Sequence, residues 1–159
     1  MTLEPRRLTR RTALAIVAGM ASSAASSALA GARPVISVSK DPNCGCCNGW
    51  VEHLRRNGYA VRVNDATDMP AIKARLGVPP QLASCHTAEI AGYVIEGHVP
   101  ADAITRLIAE KPTASGLAVP GMPAGAPGME GSAPEVYEVI LFGKDLQRSF
   151  ARYKGDRPV

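Results

Sequence analysis

Asp41-Pro42-Asn43-Cys44-Gly45-Cys46-Cys47-Asn48-Gly49-Trp50 holds three of the chain's four cysteines within four consecutive positions. The run before it, Pro34-Val35-Ile36-Ser37-Val38-Ser39, reads as a strand, and Trp50 to Asn57 reads as a helix. A thiol trio at a strand-to-helix turn is placed for chemistry. The N–H groups and dipole of a helix N-terminus favour the thiolate, which is both the nucleophile and the metal ligand. Three structural cysteines in an ordinary turn are the blander alternative, and so tight a cluster argues against it.

Around this turn, 159 residues at 46% hydrophobic suffice for about one domain with a core. Of 18 basic and 14 acidic residues, the first thirty positions hold four arginines and one acid, which leaves a nearly neutral 14 against 13. With aromatics at 4%, there is no basic, aromatic-studded face, and nucleic acid is excluded as a partner. Residues 1–30 read as a signal peptide. Arg6, Arg7, Arg10 and Arg11 precede an apolar run from Ala13 to Met20, and Ala28-Leu29-Ala30 is an A-x-A cleavage site. The run is too short for a membrane span. Thr9-Arg10-Arg11-Thr12-Ala13-Leu14 resembles a twin-arginine signal, although ordinary secretory leaders share such pairs. Either route points to a bacterial periplasm, where a free thiol must be paired, metal-bound or kept reduced.

The mature chain then alternates strand and helix signals. Tyr59-Ala60-Val61-Arg62-Val63 alternates as a strand, and Pro70 to Leu76 is a short helix ended by Gly77. Ala88-Glu89-Ile90 and Tyr93-Val94-Ile95 flank Ala91-Gly92 as a hairpin, and Pro100 opens a helix at its first position. This order predicts an α/β sandwich with a small mixed sheet. With Cys44 and Cys47 at C-x-x-C spacing after the first strand, it looks like a thioredoxin-type domain over residues 31–111. Thioredoxins carry a proline before the third strand, facing the active-site cysteines. Here Ser84-Cys85-His86-Thr87 holds that place and would deliver two potential ligands instead.

Residues 112–159 form a C-terminal extension. Pro112 to Pro134 holds five prolines and five glycines in 23 residues and reads as a linker on composition. Yet Met122 and Met129 each follow Pro-Gly there, and a thioether is a soft ligand for Cu(I). Packing of the loop on the domain is the equal alternative. A last strand, Tyr137 to Phe142, precedes a tail ending in Phe150-Ala151-Arg152-Tyr153.

Four motifs recur together: Cys-Gly-Cys-Cys-x-x-Trp (44–50), Gly-Val-Pro-x-x-Leu-x-Ser-Cys-His-Thr (77–87), Glu-Gly-His-Val-Pro (96–100) and Val-Pro-Gly-Met-Pro-x-Gly-x-Pro-Gly-Met-Glu (119–130). The combination resembles the CopG-type proteins, a family marked by C-x-C-C and associated with bacterial copper resistance. The resemblance implies a thioredoxin-like domain whose extension folds back over a metal site. It also implies copper bound by cysteine thiolates and a part in interconverting Cu(I) and Cu(II). The residues it marks are Cys44, Cys46, Cys47, Cys85, His86, His98, Met122 and Met129.

The chemistry of these groups supports copper independently, because thiolate and thioether select soft cations and imidazole tolerates both copper states. A closed zinc site would normally use cysteine pairs two to four residues apart. Adjacent Cys46 and Cys47 crowd one small ion if Cys44 also binds, and bridging thiolates in a polynuclear copper cluster relieve that crowding, with mononuclear Cu(I) the simpler variant. Among the histidines, His53 reads as solvated, His86 as a ligand, and His98 as ligand or turn packing. Glu130 is placed to back a ligand histidine, and Trp50 reads as a core anchor. Three functions follow: a copper-binding redox protein, a thiol–disulfide oxidoreductase with Cys44 attacking and Cys47 resolving, and a copper chaperone or buffer. The expected partners are copper ions, with efflux components or a redox partner in the periplasm, and a monomer is expected.

Overall fold

The computed structural model describes residues 33–159. The signal-peptide reading of residues 1–30 lies outside them. In chain order the elements are β1 (Ile36–Lys40), α1 (Gly45–Arg56), β2 (Val61–Asp65), α2 (Met69–Arg75), a 3-10 turn (Pro80–Leu82), β3 (His86–Ile90), β4 (Tyr93–Glu96), α3 (Ala101–Glu110), β5 (Gly116–Ala118), β6 (Val136–Gly143), β7 (Leu146–Lys154) and β8 (Arg157–Pro158). The strands make one mixed sheet in the order β2-β1-β3-β4-β5-β6-β7-β8. The β1–β2 and β4–β5 pairs are parallel and the others antiparallel. Among the described residues no helix is long and apolar enough to cross a membrane.

Successive residues of a strand face opposite sides of the sheet, and here each side has its own core. Ile95, Leu117 and Leu141 join Trp50, Leu54, Ile104 and Leu107 beneath α1 and α3. Their neighbours Val94, Ala118 and Phe142 pack with Val78 and Leu82 on the other side. The expected small sheet is larger because the extension feeds it. Residues 116–118, read as linker, form β5, and Gly116 is needed there because any side chain would strike the Val94 carbonyl. The supposed tail is the nine-residue β7, hairpinned to β6 through Lys144-Asp145 with Phe150 and Tyr153 buried.

Helix α1 begins at Gly45, five residues before the sequence suggested, with Cys44 as its N-cap. Cys47, Trp50, Val51 and Leu54 fall at positions i, i+3, i+4 and i+7 and are all buried. The buried Cys47 side chain thus serves as the first apolar rung. The Trp50 indole donates from Nε1 to the Val99 carbonyl at 2.9 Å, which ties α1 to the segment entering α3.

That segment corrects two expectations. Pro100 is the extended N-cap of α3 rather than its first helical residue. His53 is buried at 7% exposure rather than solvated, and its Nε2 accepts from the Ala101 N–H at 3.1 Å. A proline N-cap has no side-chain oxygen to satisfy the first helical N–H groups, and an imidazole from the neighbouring helix does it. His53→Ala is expected to cost about 1 kcal/mol, the usual worth of a cap, with part recovered in His53→Gln, whose amide oxygen can accept the same N–H. Urea denaturation of the three proteins measures this.

Candidate metal centre

The sheet register assembles the site. Antiparallel pairing sets His86, the first residue of β3, opposite Lys40, the last of β1. The start of β3 therefore lies beside the turn that opens α1. Cys44 caps that helix, and Cys46 and Cys47 occupy its first turn. Cys85 immediately precedes β3, and His98 leaves the end of β4, which pairs with β3.

Cys44 and Cys47 are joined in a disulfide, and Cys46 and Cys85 are free thiols. The Cys46 sulfur lies 3.5 Å from that of Cys44 and 3.8 Å from that of Cys85. The Cys85 sulfur lies 3.3 Å from His86 Nδ1 and 3.1 Å from His98 Nε2. The four sulfurs cluster within 4.8 Å of one another, and Cys85, His86 and His98 do likewise. Cys85 belongs to both groups. Six of the eight residues marked in the sequence are thus one continuous constellation.

The methionines are placed differently. Met122 is 56% exposed and follows Gly121, whose carbonyl accepts from Ser84 Oγ. Met129 is half-buried against the main core.

Hydrogen bonding fixes how the imidazoles present themselves. His98 Nδ1 meets the Pro127 carbonyl at 2.8 Å. A carbonyl only accepts, so Nδ1 carries the proton and the Nε2 lone pair faces Cys85. Glu130, expected behind a ligand histidine, instead accepts from the Gly128 N–H at 2.9 Å and props the loop that holds Pro127. His86 is fully buried between the Trp50 ring, 4.3 Å away, and the His98 ring, 4.9 Å away and nearly perpendicular. Its Nε2 is the one buried side-chain nitrogen or oxygen without a hydrogen-bond partner among the described residues.

Burial first, then electrostatic coupling to the neighbouring His98 and the Lys73 ammonium, holds His86 well below the usual imidazole range. Burial also lowers His98, against the Pro127 bond and Glu130. The Cys85 thiol is pushed up to about 11, by burial first and by Cys46 next. Weakly basic imidazoles and soft sulfur gathered in one cluster fit a thiophilic cation, and His86 there carries a buried nitrogen without a partner. Thiolates about 2.3 Å from one tetrahedral ion stand roughly 3.8 Å apart, which is the spacing of the two free sulfurs, Cys46 and Cys85. Reduction of the disulfide by two electrons would free two further thiolates.

Two backbones interlock over the cysteine turn. A Cβ on Gly128 would lie 2.6 Å from both the Cys46 carbonyl oxygen and the Trp50 nitrogen. One on Gly49 would lie 2.9 Å from the Gly128 Cα. The loop carrying the His98 acceptor can approach only because both residues are glycine.

Sequence reading did not find Pro127, whose contribution is a backbone carbonyl, or the buried Glu96, which binds Lys73, Thr87 and the Ser84 N–H. An acid closing the apolar run Tyr93-Val94-Ile95 was the available signal for Glu96.

Comparison with known proteins adds the following. A family model described as a protein of unknown function, DUF411, matches residues 82–129. The search of curated proteins finds no match. Two solved structures, titled copper resistance protein copG, Form 2 and Form 1, are each 44% identical with a TM-score of 0.72. They cover 76% and 77% of this chain and 98% and 99% of their own.

Two outcomes are expected. Gly128→Ala, strained both by the clash and by a φ of +87°, should destabilise the protein by about 1–3 kcal/mol, read by denaturant unfolding. Stability should also fall with acidity. His53, lowered by burial and then Arg56, joins His86 and His98 in having a folded pKa below the unfolded value of about 6.5. The unfolded chain then takes up protons first, and stability that is full above that value drains as pH drops towards the folded values. Melting temperatures of the metal-free protein between pH 8 and pH 5 check this.

Proposed function

The chain belongs to the CopG family of copper resistance proteins, and we propose that it binds copper at Cys44, Cys46, Cys47, Cys85, His86 and His98 and interconverts Cu(I) and Cu(II). The observation that carries the reading is the Cys85 sulfur, 3.1 Å from His98 Nε2, 3.3 Å from His86 Nδ1 and 3.8 Å from the Cys46 sulfur. Soft sulfur suits Cu(I) and imidazole accommodates Cu(II), so one pocket serves an ion that changes state. Met122, exposed, and Met129, half-buried against the main core, are the two further proposed donors.

Copper here is the substrate, and the protein's own contribution is a two-electron store. In the reduced protein, Cys44 and Cys47 thiolates give one electron to each of two Cu(II) ions and close their disulfide. The products are two Cu(I), and Cys46, Cys85 and the histidines remain to hold them. Reopening the disulfide takes two electrons and two protons from an external thiol or electron carrier. Several sulfurs within reach of one another favour a thiolate-bridged cluster over a single ion.

The topology of β1 to α3 supports a thioredoxin-like domain at residues 31–111, and the β5–β8 strands with the Pro127 loop support an extension, 112–159, closing over the site. The leader reading supports export to the periplasm. The Cys44–Cys47 disulfide at a helix N-terminus favours a second reading, thiol–disulfide exchange with protein substrates. A chaperone or buffer is the third.

One titration separates them. Fully reduced protein mixed anaerobically with Cu(II) should yield chelator-detectable Cu(I) with one disulfide gained for every two ions reduced, and more than one copper retained per chain. Cys46→Ser and Cys85→Ser should each weaken retention, by about tenfold or more. Binding without thiol loss would leave a chaperone. Reduction of a protein disulfide with indifference to copper would establish the oxidoreductase.

A further inference from the structure

We propose that Glu96 is a positioning residue for the Cys85–His86 half of the copper site, acting with Lys73; this rests on the copper reading above. Its carboxylate is fully buried on β4. Oε1 accepts from the Ser84 N–H at 2.6 Å and from Lys73 Nζ at 2.5 Å. Oε2 accepts from Thr87 Oγ1 at 2.7 Å, and Lys73 Nζ also donates to Thr87 Oγ1 at 2.9 Å. Ser84 and Thr87 bracket Cys85 and His86. One side chain therefore grips the ligand pair on both flanks, and Cys85, ahead of the β3 ladder, depends on that grip.

The two residues after Glu96 continue the pattern. Gly97 donates its N–H to the His86 carbonyl at 3.0 Å, and with a φ of +71° it lets Ser84 approach closely, since a Cβ there would lie 2.7 Å from Ser84 Oγ. His98 Nε2 reaches the Cys85 sulfur. Three consecutive residues, Glu96-Gly97-His98, thus each bind the segment 84–87 and act as a template for it. Mere burial of an ion pair does not account for this. A buried pair is commonly replaceable by apolar side chains without loss of stability, whereas the Ser84 and Thr87 bonds fix where the thiol sits.

The test begins without metal. In Cys46→Ser, with the Cys44–Cys47 disulfide intact, Cys85 is the one free thiol, and its alkylation by iodoacetamide is followed from pH 7 to pH 10. Adding Glu96→Gln, which keeps the shape but sets an amide against the donors, should speed alkylation about tenfold and shift its pH profile, with circular dichroism unchanged. The Lys73→Met, Glu96→Leu pair is the second variant, chosen to keep the fold while removing the grip, and it should do the same. An alkylation profile equal to that of the parent in both would overturn the proposal. Copper titration of the otherwise unaltered chain forms the other arm. Glu96→Gln should lower Cu(I) affinity by about 10–100-fold and move the thiolate-to-copper absorption towards that of Cys85→Ser. Failure of the parent protein to bind copper would remove the copper reading and leave the alkylation result standing on its own.

Discussion

The antiparallel pairing of β1 with β3 sets His86 against Lys40 and Thr87 against Ser39, and the rest of the site inherits its geometry from that register. A slip of one residue would turn every side chain of β3 to the opposite face. His86 would leave the Trp50 ring, and Thr87 would leave Glu96. Register is secured from both sides, by the hydrophobic alternation of Ile36 and Val38 on β1 and by the β3–β4 hairpin, which brings Glu96 opposite Thr87. The place of the cysteine turn beside β3 is thus a consequence of sheet pairing, with α1 the element that begins there.

The electrostatics of the cluster keep it neutral in the absence of a bound ion. Burial keeps His86 and His98 unprotonated and Cys85 protonated. The interior avoids an unpaired charge, and the lone pairs of both imidazoles stay available. Thiols must lose protons to become ligands, so under the proposed function metal uptake would be coupled to proton release. The nearby positive charge, Lys73, is matched by Glu96 and does not oppose that uptake alone.

The candidate ligands stood out in the sequence and their supports did not. Cys44, Cys46, Cys47, Cys85, His86 and His98 are rare, reactive types whose grouping shows in one dimension. The start of α1 did not show, because Gly45, Asn48 and Gly49 are poor helix formers, and Gly49 is needed for the approach of Gly128. β5 was hidden in a Pro/Gly-rich stretch too short for a periodic signal, and β7 by the polar residues of its exposed face. His53 read as solvent-facing because Glu52, Arg55 and Arg56 surround it in sequence, while its partner Ala101 is 48 positions away. The Pro127 carbonyl carries no residue-type signature at all.

Trp50 has a consequence beyond packing. It is the chain's single tryptophan, its ring lies 4.3 Å from that of His86, and its nitrogen is bonded to the backbone leading into α3. The protein therefore carries an intrinsic optical reporter lodged against the candidate ligands. Ultraviolet emission from this indole should register occupancy beside His86 and distinguish paramagnetic from closed-shell ions, with no label attached.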